Sequence, residues 1–150
     1  MSSRAPGLEG LVLADTGKKT GGGMPYEIQW EPRGVVKKFS GHVTAGEIME
    51  CIRKVTSDPR FAVLEYEIDD YLEADARGAL PGEMEDVVAV RAGSVKANPN
   101  IVAAYIASDA RVLELLGQYR LDAAPHQVNI FSTIADARFW ISRTPKRQTR

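Results

Sequence analysis

The sequence predicts a single α/β domain, in which a mixed sheet of about five strands carries four helices mainly on one face. Two short alternating segments near the beginning flank a Pro-Gly turn, as is typical of an antiparallel hairpin. Helical and strand-like patterns then alternate along the chain, which indicates right-handed crossovers and a largely parallel sheet. The wholly apolar residues 101–107 are typical of a central strand buried on both faces.

Composition limits the class of protein. Of the 150 residues, 44% are hydrophobic and 26% are charged, and the formal net charge is −1. So weak a charge favours neither nucleic acid nor a membrane surface as the partner. The single Cys51 excludes a disulfide framework and a cysteine-based zinc site, and no apolar run approaches the roughly 20 residues that cross a bilayer. We therefore expect a cytoplasmic protein without membrane insertion and without a nucleic-acid partner.

The folded domain is expected over residues 25–142. The apolar residues of segment 1–24 show no sustained period, and residues 143–150 hold four basic residues and no acid. Both ends are therefore expected to be flexible tails. The domain opens with a strand in which Tyr26, Ile28 and Trp30 alternate with polar residues. A turn at 32–34 follows, in which Gly34 is free to adopt a positive φ, and a second strand is expected at residues 35–43.

The first helix begins at a capping box formed by Thr44 and Glu47. It ends at Asp58-Pro59, because the residue before a proline disfavours the helical conformation. Four apolar residues share one side of this helix, which is expected to face the core: Ile48, Cys51, Ile52 and Val55.

The third strand is expected at residues 62–68. Tyr66 and Ile68 share one face of it with Ala62 and Leu64, whereas Glu65 and Glu67 share the other face. A sheet covered by helices on both faces would not readily bury the two glutamates. We therefore expect one helix-covered face and one at least partly open face at this strand.

Two more helices and two more strands complete the predicted order β-β-α-β-α-β-α-β-α. The second helix starts near Pro81 and is broken at residues 98–100, and Arg91 near its end complements the helix dipole. The third follows a cap at Ser108 or Asp109 and stops at Gly117. Residues 127–131 form the last strand, and a capping box at Thr133 and Asp136 opens the last helix.

A dense run of carboxylates is the strongest chemical signal, with nine acids and one base between Glu65 and Asp86. Asp69 and Asp70 fall at the carboxyl end of the third predicted strand, where open α/β sheets place their ligands. A metal-dependent hydrolase that uses both of them with His42 is one interpretation. Neighbouring strand residues point to opposite faces, however. A solvated acidic surface is therefore the favoured interpretation, with no metal ligand and no catalytic residue.

Other enzyme signatures are missing. The sequence contains neither a phosphate-binding glycine loop nor a Gly-x-Ser-x-Gly elbow, and His42 and His126 stand at strand ends, where a surface histidine is common. We expect a non-enzymatic protein without a cofactor. A cleft for a small apolar ligand is an alternative, lined by Tyr66, Tyr71, Met84 and Tyr105, although such residues more often pack a core.

Four passages of the sequence together resemble the SpoIIAA-like family of the STAS superfamily. They are IQW in the opening hairpin, GVVKKFSGHVT, NPNIVAAYIASD and VNIFSTIADARFW. The superfamily includes anti-anti-sigma factors and the cytoplasmic domains of sulfate transporters. The resemblance covers about Tyr26 to Ile141. It implies a mixed sheet with helices mainly on one side, and a regulatory module that binds a protein partner.

The resemblance does not extend to the regulatory serine. STAS anti-anti-sigma factors carry an Asp-Ser-Ser-Gly type motif after the third strand, with a phosphorylated serine at the start of the next helix. The matching residues here are 72–76, and no Ser or Thr occurs between Ser57 and Ser94. Glu73 or Asp75 could supply a permanent negative charge at that helix start instead.

The resemblance and the acidic run together define an expected binding surface. It comprises the loops after the second and third strands and the beginning of the second helix. Its residues are His42, Asp69, Asp70, Tyr71, Glu73 and Asp75. The expected occupant is a protein partner or a small ligand, and pairing of exposed edge strands in a homodimer is a further expectation.

Overall fold

In the described part of the chain, five strands in sequential order form the central sheet. The computed structural model describes residues 24–75, 81–122 and 127–145. The first strand is antiparallel to the second, and all later neighbours are parallel. The strands are β1 (Tyr26–Trp30), β2 (Gly34–His42), β3 (Tyr66–Asp75), β4 (Val102–Ile106) and β5 (Val128–Phe131). This confirms the predicted mixed sheet. Most of segment 1–24, residues 146–150 of the basic end, and His126 lie outside the described residues.

Among the described residues, four α-helices pack on the two faces of this sheet. They are α1 (Ala45–Ser57), α2 (Pro81–Ala97), α3 (Ala110–Asp122) and α4 (Ile134–Arg143). One core cluster joins residues of α1, α2 and α3 to one side of the sheet, which we call the three-helix face. A second cluster joins Ala137 and Ile141 of α4 to the opposite side, the α4 face. The predicted α/β class, with helices mainly on one face, is confirmed.

The capping box of α1 forms as the sequence predicts. The Thr44 hydroxyl accepts a hydrogen bond from the Glu47 backbone N–H at 3.2 Å, and the Glu47 carboxylate accepts one from the Thr44 N–H at 2.9 Å. The four apolar residues predicted to face the core are all buried. At Thr133 the structure gives the first half of such a box, in which the hydroxyl accepts from the Asp136 N–H at 3.1 Å.

The predicted start of the third strand is wrong. Pro59–Val63 forms a 3₁₀-helix, and the extended strand begins only at Tyr66. Side chains three residues apart align along a 3₁₀-helix, and Phe61 and Leu64 are accordingly both buried, whereas Val63 between them is exposed. The strand also runs on to Asp75, so Asp69 and Asp70 lie in its middle and not at its end.

Two glycines behave differently from the prediction. The positive φ in the β2 region belongs to Gly41, at +70°, and not to Gly34. At Gly34 the ring of Tyr66 occupies the space that a Cβ would fill, so close approach is the reason for glycine there. Gly117 does not end α3, which continues to Asp122, because an interior glycine costs a helix only about 1 kcal/mol.

Among the residues that the structure describes, none of the helices combines the length and apolar character required to span a bilayer.

Candidate functional site

Strand β3 divides the predicted site residues between the two faces of the sheet. Successive strand side chains point to opposite faces. Tyr71 belongs to the core cluster of the three-helix face, and Asp69 contacts Lys37 beneath the same helices. Asp70 therefore points to the α4 face. The two aspartates do not converge, which a shared metal or hydrolytic site would require.

A β-bulge interrupts this alternation beyond Asp70. Lys38 of β2 lies opposite Asp70, but Ser40 lies opposite Glu73, so β3 has one extra residue at 71–72. Ala74 packs against the three-helix cluster. Its neighbours Glu73 and Asp75 consequently point to the α4 face. The bulge thus turns two acidic side chains onto the same face as Asp70.

The strands β2 and β3 continue past the end of β4. The last residue of β3 that pairs with β4 is Asp70, opposite Ile106, whereas the pairing with β2 continues to Asp75, opposite His42. We call this projecting part, residues 40–42 and 72–75, the β2–β3 tip. Its exposed side chains include Leu72, at 42% of its possible area, together with those of Glu73 and His42.

Glu73 at the β2–β3 tip forms a weak ion pair with Lys38. Lys38 Nζ lies 3.7 Å from Glu73 Oε2, and both side chains are substantially exposed. Such a pair contributes at most about 1 kcal/mol and is weakened by salt. The backbone is held more firmly, because the Val43 N–H donates to the Asp75 carbonyl at 2.9 Å. The tip is therefore a fixed strand end that presents Glu73 and His42 to solvent.

Asp70 maintains the bulge. It is 9% exposed, and its Oδ1 accepts a hydrogen bond from the Leu72 N–H at 3.0 Å. This bond satisfies a donor within the bulge, where the strand ladder is disrupted. Asp70 accordingly positions the tip. The prediction that it is an exposed contact residue is wrong.

The predicted location of Glu73 and Asp75 at a helix start is wrong. Both residues belong to β3, and α2 begins at Pro81; residues 76–80 lie outside the described chain. The two carboxylates therefore occupy a strand face and do not replace a phosphoserine at the end of a helix. The acidic character of the surface is retained in a different geometry.

A buried cluster of charges lies on the three-helix face, and sequence reasoning missed it. Lys37 Nζ is 2.7 Å from Glu67 Oε1 and 3.1 Å from Asp69 Oδ1, and Arg91 of α2 forms an ion pair with the other Glu67 oxygen. All four side chains are buried. The prediction that Glu67 faces the open side is therefore wrong. Arg91 likewise reaches the sheet and does not remain at the helix surface.

Burial and mutual attraction compete in this cluster. Burial disfavours the charge of Glu67, but Arg91 and Lys37 hold the pKa of its carboxyl group low. At Asp69 the balance is the reverse. Burial raises the pKa of its carboxyl group, the negative charge of Glu67 raises it further, and the attraction of Lys37 only partly opposes this. The pKa of Lys37 is raised by both carboxylates despite its burial. Since water does not reach these groups, their arrangement fits a structural role.

The tyrosines predicted to line a cleft are separated. Tyr71 stacks on Phe39 with the ring centroids 4.6 Å apart, and Tyr105 is buried on the same three-helix face. Tyr66 belongs to the α4 face, where its hydroxyl donates to the Glu31 carboxylate. The three side chains therefore do not line a common cavity. Met84 of α2 packs half-buried against the three-helix cluster.

Within residues 24–75, 81–122 and 127–145, no group of three or more His, Cys, Asp or Glu side chains could hold a metal ion. The acidic residues of the tip are thus close in sequence without forming a chelating set.

Comparison with known proteins identifies the fold. No protein-family model and no curated protein matches the chain. Among solved structures, it is similar to that of the anti-sigma factor antagonist SpoIIAA in its unphosphorylated form. The TM-score is 0.54 at 10% sequence identity, and the match covers 79% of this chain and 99% of the other. The chain therefore has the SpoIIAA-like STAS fold, which confirms the predicted resemblance at the level of the fold.

Proposed function

We propose that this protein is a non-enzymatic regulatory module that binds a protein partner through the β2–β3 tip. The observation that carries the proposal is the bulge at residues 71–72, which turns Glu73 and Asp75 to the same side as His42. Bulges beside functional surfaces commonly re-aim side chains in this way. The fold supports the proposal, because it is shared with a protein described as an antagonist of an anti-sigma factor.

The shape and chemistry of the tip suit a macromolecule better than a small substrate. It projects as a pair of strands, whereas small-molecule sites are concave. Exposed Leu72 directly precedes Glu73 in β3, and His42 lies opposite Asp75, so the tip combines an apolar side chain with polar and charged ones. A partner with a complementary basic surface and an apolar pocket fits this arrangement.

The proposed binding does not depend on phosphorylation of the loop after β3. No Ser or Thr lies between Ser57 and Ser94, so the charge of the tip is supplied by carboxylates that are always present. The protein would bind its partner at all times, so regulation would act on how much of the partner is available. The proposal includes the expectation from composition that the protein acts in the cytoplasm.

A pair of isosteric variants tests this function. Glu73→Gln with Asp75→Asn removes two charges of the tip, and each exposed charge pair contributes about 0.2–1 kcal/mol. We expect this double variant to capture roughly 2- to 30-fold less of the proteins that wild type captures from its native lysate. High salt should likewise lower the amount that wild type captures. Glu114→Gln with Asp136→Asn, at exposed positions of α3 and α4, is the matched control. Equal capture by the two double variants contradicts the proposal.

A further inference from the structure

The outer side of β1 carries open backbone hydrogen-bonding groups. Two sets of backbone hydrogen bonds show which β1 residues bond to β2. Glu31 and Gly34 bond to each other, and the Ser40 N–H donates to the Pro25 carbonyl. In an antiparallel pair, every second residue bonds to the neighbouring strand. Glu27 and Gln29 therefore bond to β2. The N–H and C=O groups of Tyr26, Ile28 and Trp30 point away from the sheet, where no further strand pairs in the described part of the chain.

At the opposite edge of the sheet, a side chain blocks one outward-pointing backbone donor. The Ala103 and Ala107 N–H groups donate to Gln127 and Phe131, so the alternate residue Ile130 points its N–H outward. The Asn129 side chain accepts that N–H at 2.9 Å. In β1 the polar side chains instead bond to each other, since Gln29 Nε2 donates to Glu27 Oε2 at 3.1 Å. Proteins usually block an edge that must stay unpaired, and β1 has no such block among the described residues.

The side chains of β1 select one self-pairing register. If Ile28 lies opposite the partner's Ile28, then all three outward-pointing residues can donate and accept across the interface. Glu27 then lies opposite the partner's Gln29 on both sides of the two-fold axis, which places an amide beside each carboxylate. A shift of two residues in either direction places Glu27 opposite the partner's Glu27 or the partner's Glu31, and like charges directly opposite destabilise a sheet.

The face of β1 toward the helices is also self-complementary in this register. Tyr26 lies opposite the partner's Trp30, and aromatic cross-strand pairs are among the favourable ones. Cations already contact both rings, with Lys54 Nζ 5.4 Å from the centroid of Tyr26 and the Arg60 guanidinium 4.0 Å from that of Trp30. The aromatic side chains are thus held in place before any pairing takes place.

We propose that two copies of this chain form a dimer by antiparallel pairing of their β1 strands about Ile28. The two sheets then continue as one sheet through the interface. The contact is limited to a strand of five residues, so the dimer is weak and depends on concentration. The proposal is independent of partner binding at the β2–β3 tip.

Opposite charge changes at one position test the dimer and its register. Gln29→Glu places two like-charge pairs across the interface, whereas Gln29→Lys places two opposite-charge pairs there. Gln29 is exposed, so neither change disturbs the core, which circular dichroism verifies. Sedimentation equilibrium of the full 16.4 kDa chain up to millimolar concentration measures the dimer Kd. We expect it to rise roughly 2- to 30-fold for Gln29→Glu and to fall by a similar factor for Gln29→Lys.

Matched substitutions on α3 separate local pairing from net charge. Gln118→Glu and Gln118→Lys make the same charge changes at another exposed position, and we expect both to leave the Kd within twofold of wild type. A chain that stays monomeric throughout the concentration range overturns the proposal. A dimer on which the Gln29 and Gln118 variants act alike overturns it as well, since β1 is then not the interface.

Discussion

Lys37 of β2 and Glu67 of β3 form an ion pair inside the protein, with Nζ 2.7 Å from Oε1 and the two side chains 1% and 0% exposed. Arg91 from α2 contacts the same carboxylate, and Asp69 contacts the same ammonium group. Two acids and two bases thus compensate each other beneath the helices. Because Arg91 belongs to α2, the cluster attaches that helix to the centre of the sheet by charge as well as by apolar packing.

Removal of one charge from this cluster should be strongly destabilising. Glu67→Gln leaves Lys37 and Arg91 buried without their shared anion, and breaking a buried pair costs about 3–5 kcal/mol. We expect the free energy of unfolding in urea to fall by that amount. The control is Glu65→Gln, which breaks the exposed pair with Arg33 at 3.2 Å and should cost no more than about 1 kcal/mol. Similar losses of unfolding free energy in the two variants would show that the buried cluster contributes no more to stability than an exposed ion pair.

Stability should depend on pH in two opposite ways. The native pKa of Glu67 lies below its ordinary value of 4.5, so the unfolded state binds more protons there and stability rises as the pH increases toward 4.5. At Asp69 burial raises the pKa from 3.8 to about 6. The native state then binds more protons, and stability falls as the pH increases between those values.

Asp69→Asn tests the second of these effects, because asparagine does not titrate. Urea unfolding from pH 3 to pH 7 should show the decrease above pH 4 in wild type and its loss in the variant, with the rise below pH 4.5 retained. A decrease of equal size in Asp69→Asn would assign it to another group.

Asp70 should control the conformation of the β2–β3 tip. Asp70→Ala removes the acceptor of the Leu72 N–H, and the loss of such a part-buried hydrogen bond costs about 0.5–1.5 kcal/mol. Asp70→Asn keeps an oxygen at that position and should cost less. Backbone amide chemical shifts of Glu73 and Asp75 should change in the alanine variant and remain close to wild type in the asparagine variant. Unchanged shifts in both variants would mean that the bulge does not need this hydrogen bond.

Gly34 should be intolerant of even one methyl group. A Cβ there overlaps the ring of Tyr66, and such overpacking typically costs about 1–3 kcal/mol. We expect Gly34→Ala to lower the thermal midpoint and Tyr66→Leu to restore part of the loss in the double variant. Gly93→Ala is the control, because nothing lies near its added methyl group in α2, and alanine should stabilise that helix by up to about 1 kcal/mol.

Local rules of sequence were sufficient for the order of elements and for the core face of α1. The capping box at Thr44, the hairpin and the apolar strand β4 each depend on residues that are close in sequence. The predicted start of β3 is wrong because apolar residues alternate from Ala62 as they do in a strand. The spacing of Phe61 and Leu64, which fits a 3₁₀-helix, is the one that the structure follows.

The candidate site depends on relations that sequence pattern does not contain. Lys37 and Glu67 are thirty positions apart, and their pairing is decided by the parallel register of two strands. Alternation along β3 predicts that Glu73 shares a face with Asp69, but the extra residue at the bulge reverses this. A period-2 pattern has no signal for such an insertion, so the sequence indicated neither the burial of Asp69 and Tyr71 nor the face on which Glu73 and Asp75 lie.

The central claim is that the protein binds its partner through the β2–β3 tip, and site-specific photo-crosslinking in cells tests it most directly. A photo-reactive phenylalanine analogue in place of Leu72, which is 42% exposed, should form a covalent adduct with another protein. The same analogue in place of Val63, which is 80% exposed in the 3₁₀-helix that precedes β3, should not form that adduct. An adduct formed at position 63 and not at position 72 would contradict the claim, as would no adduct at either position.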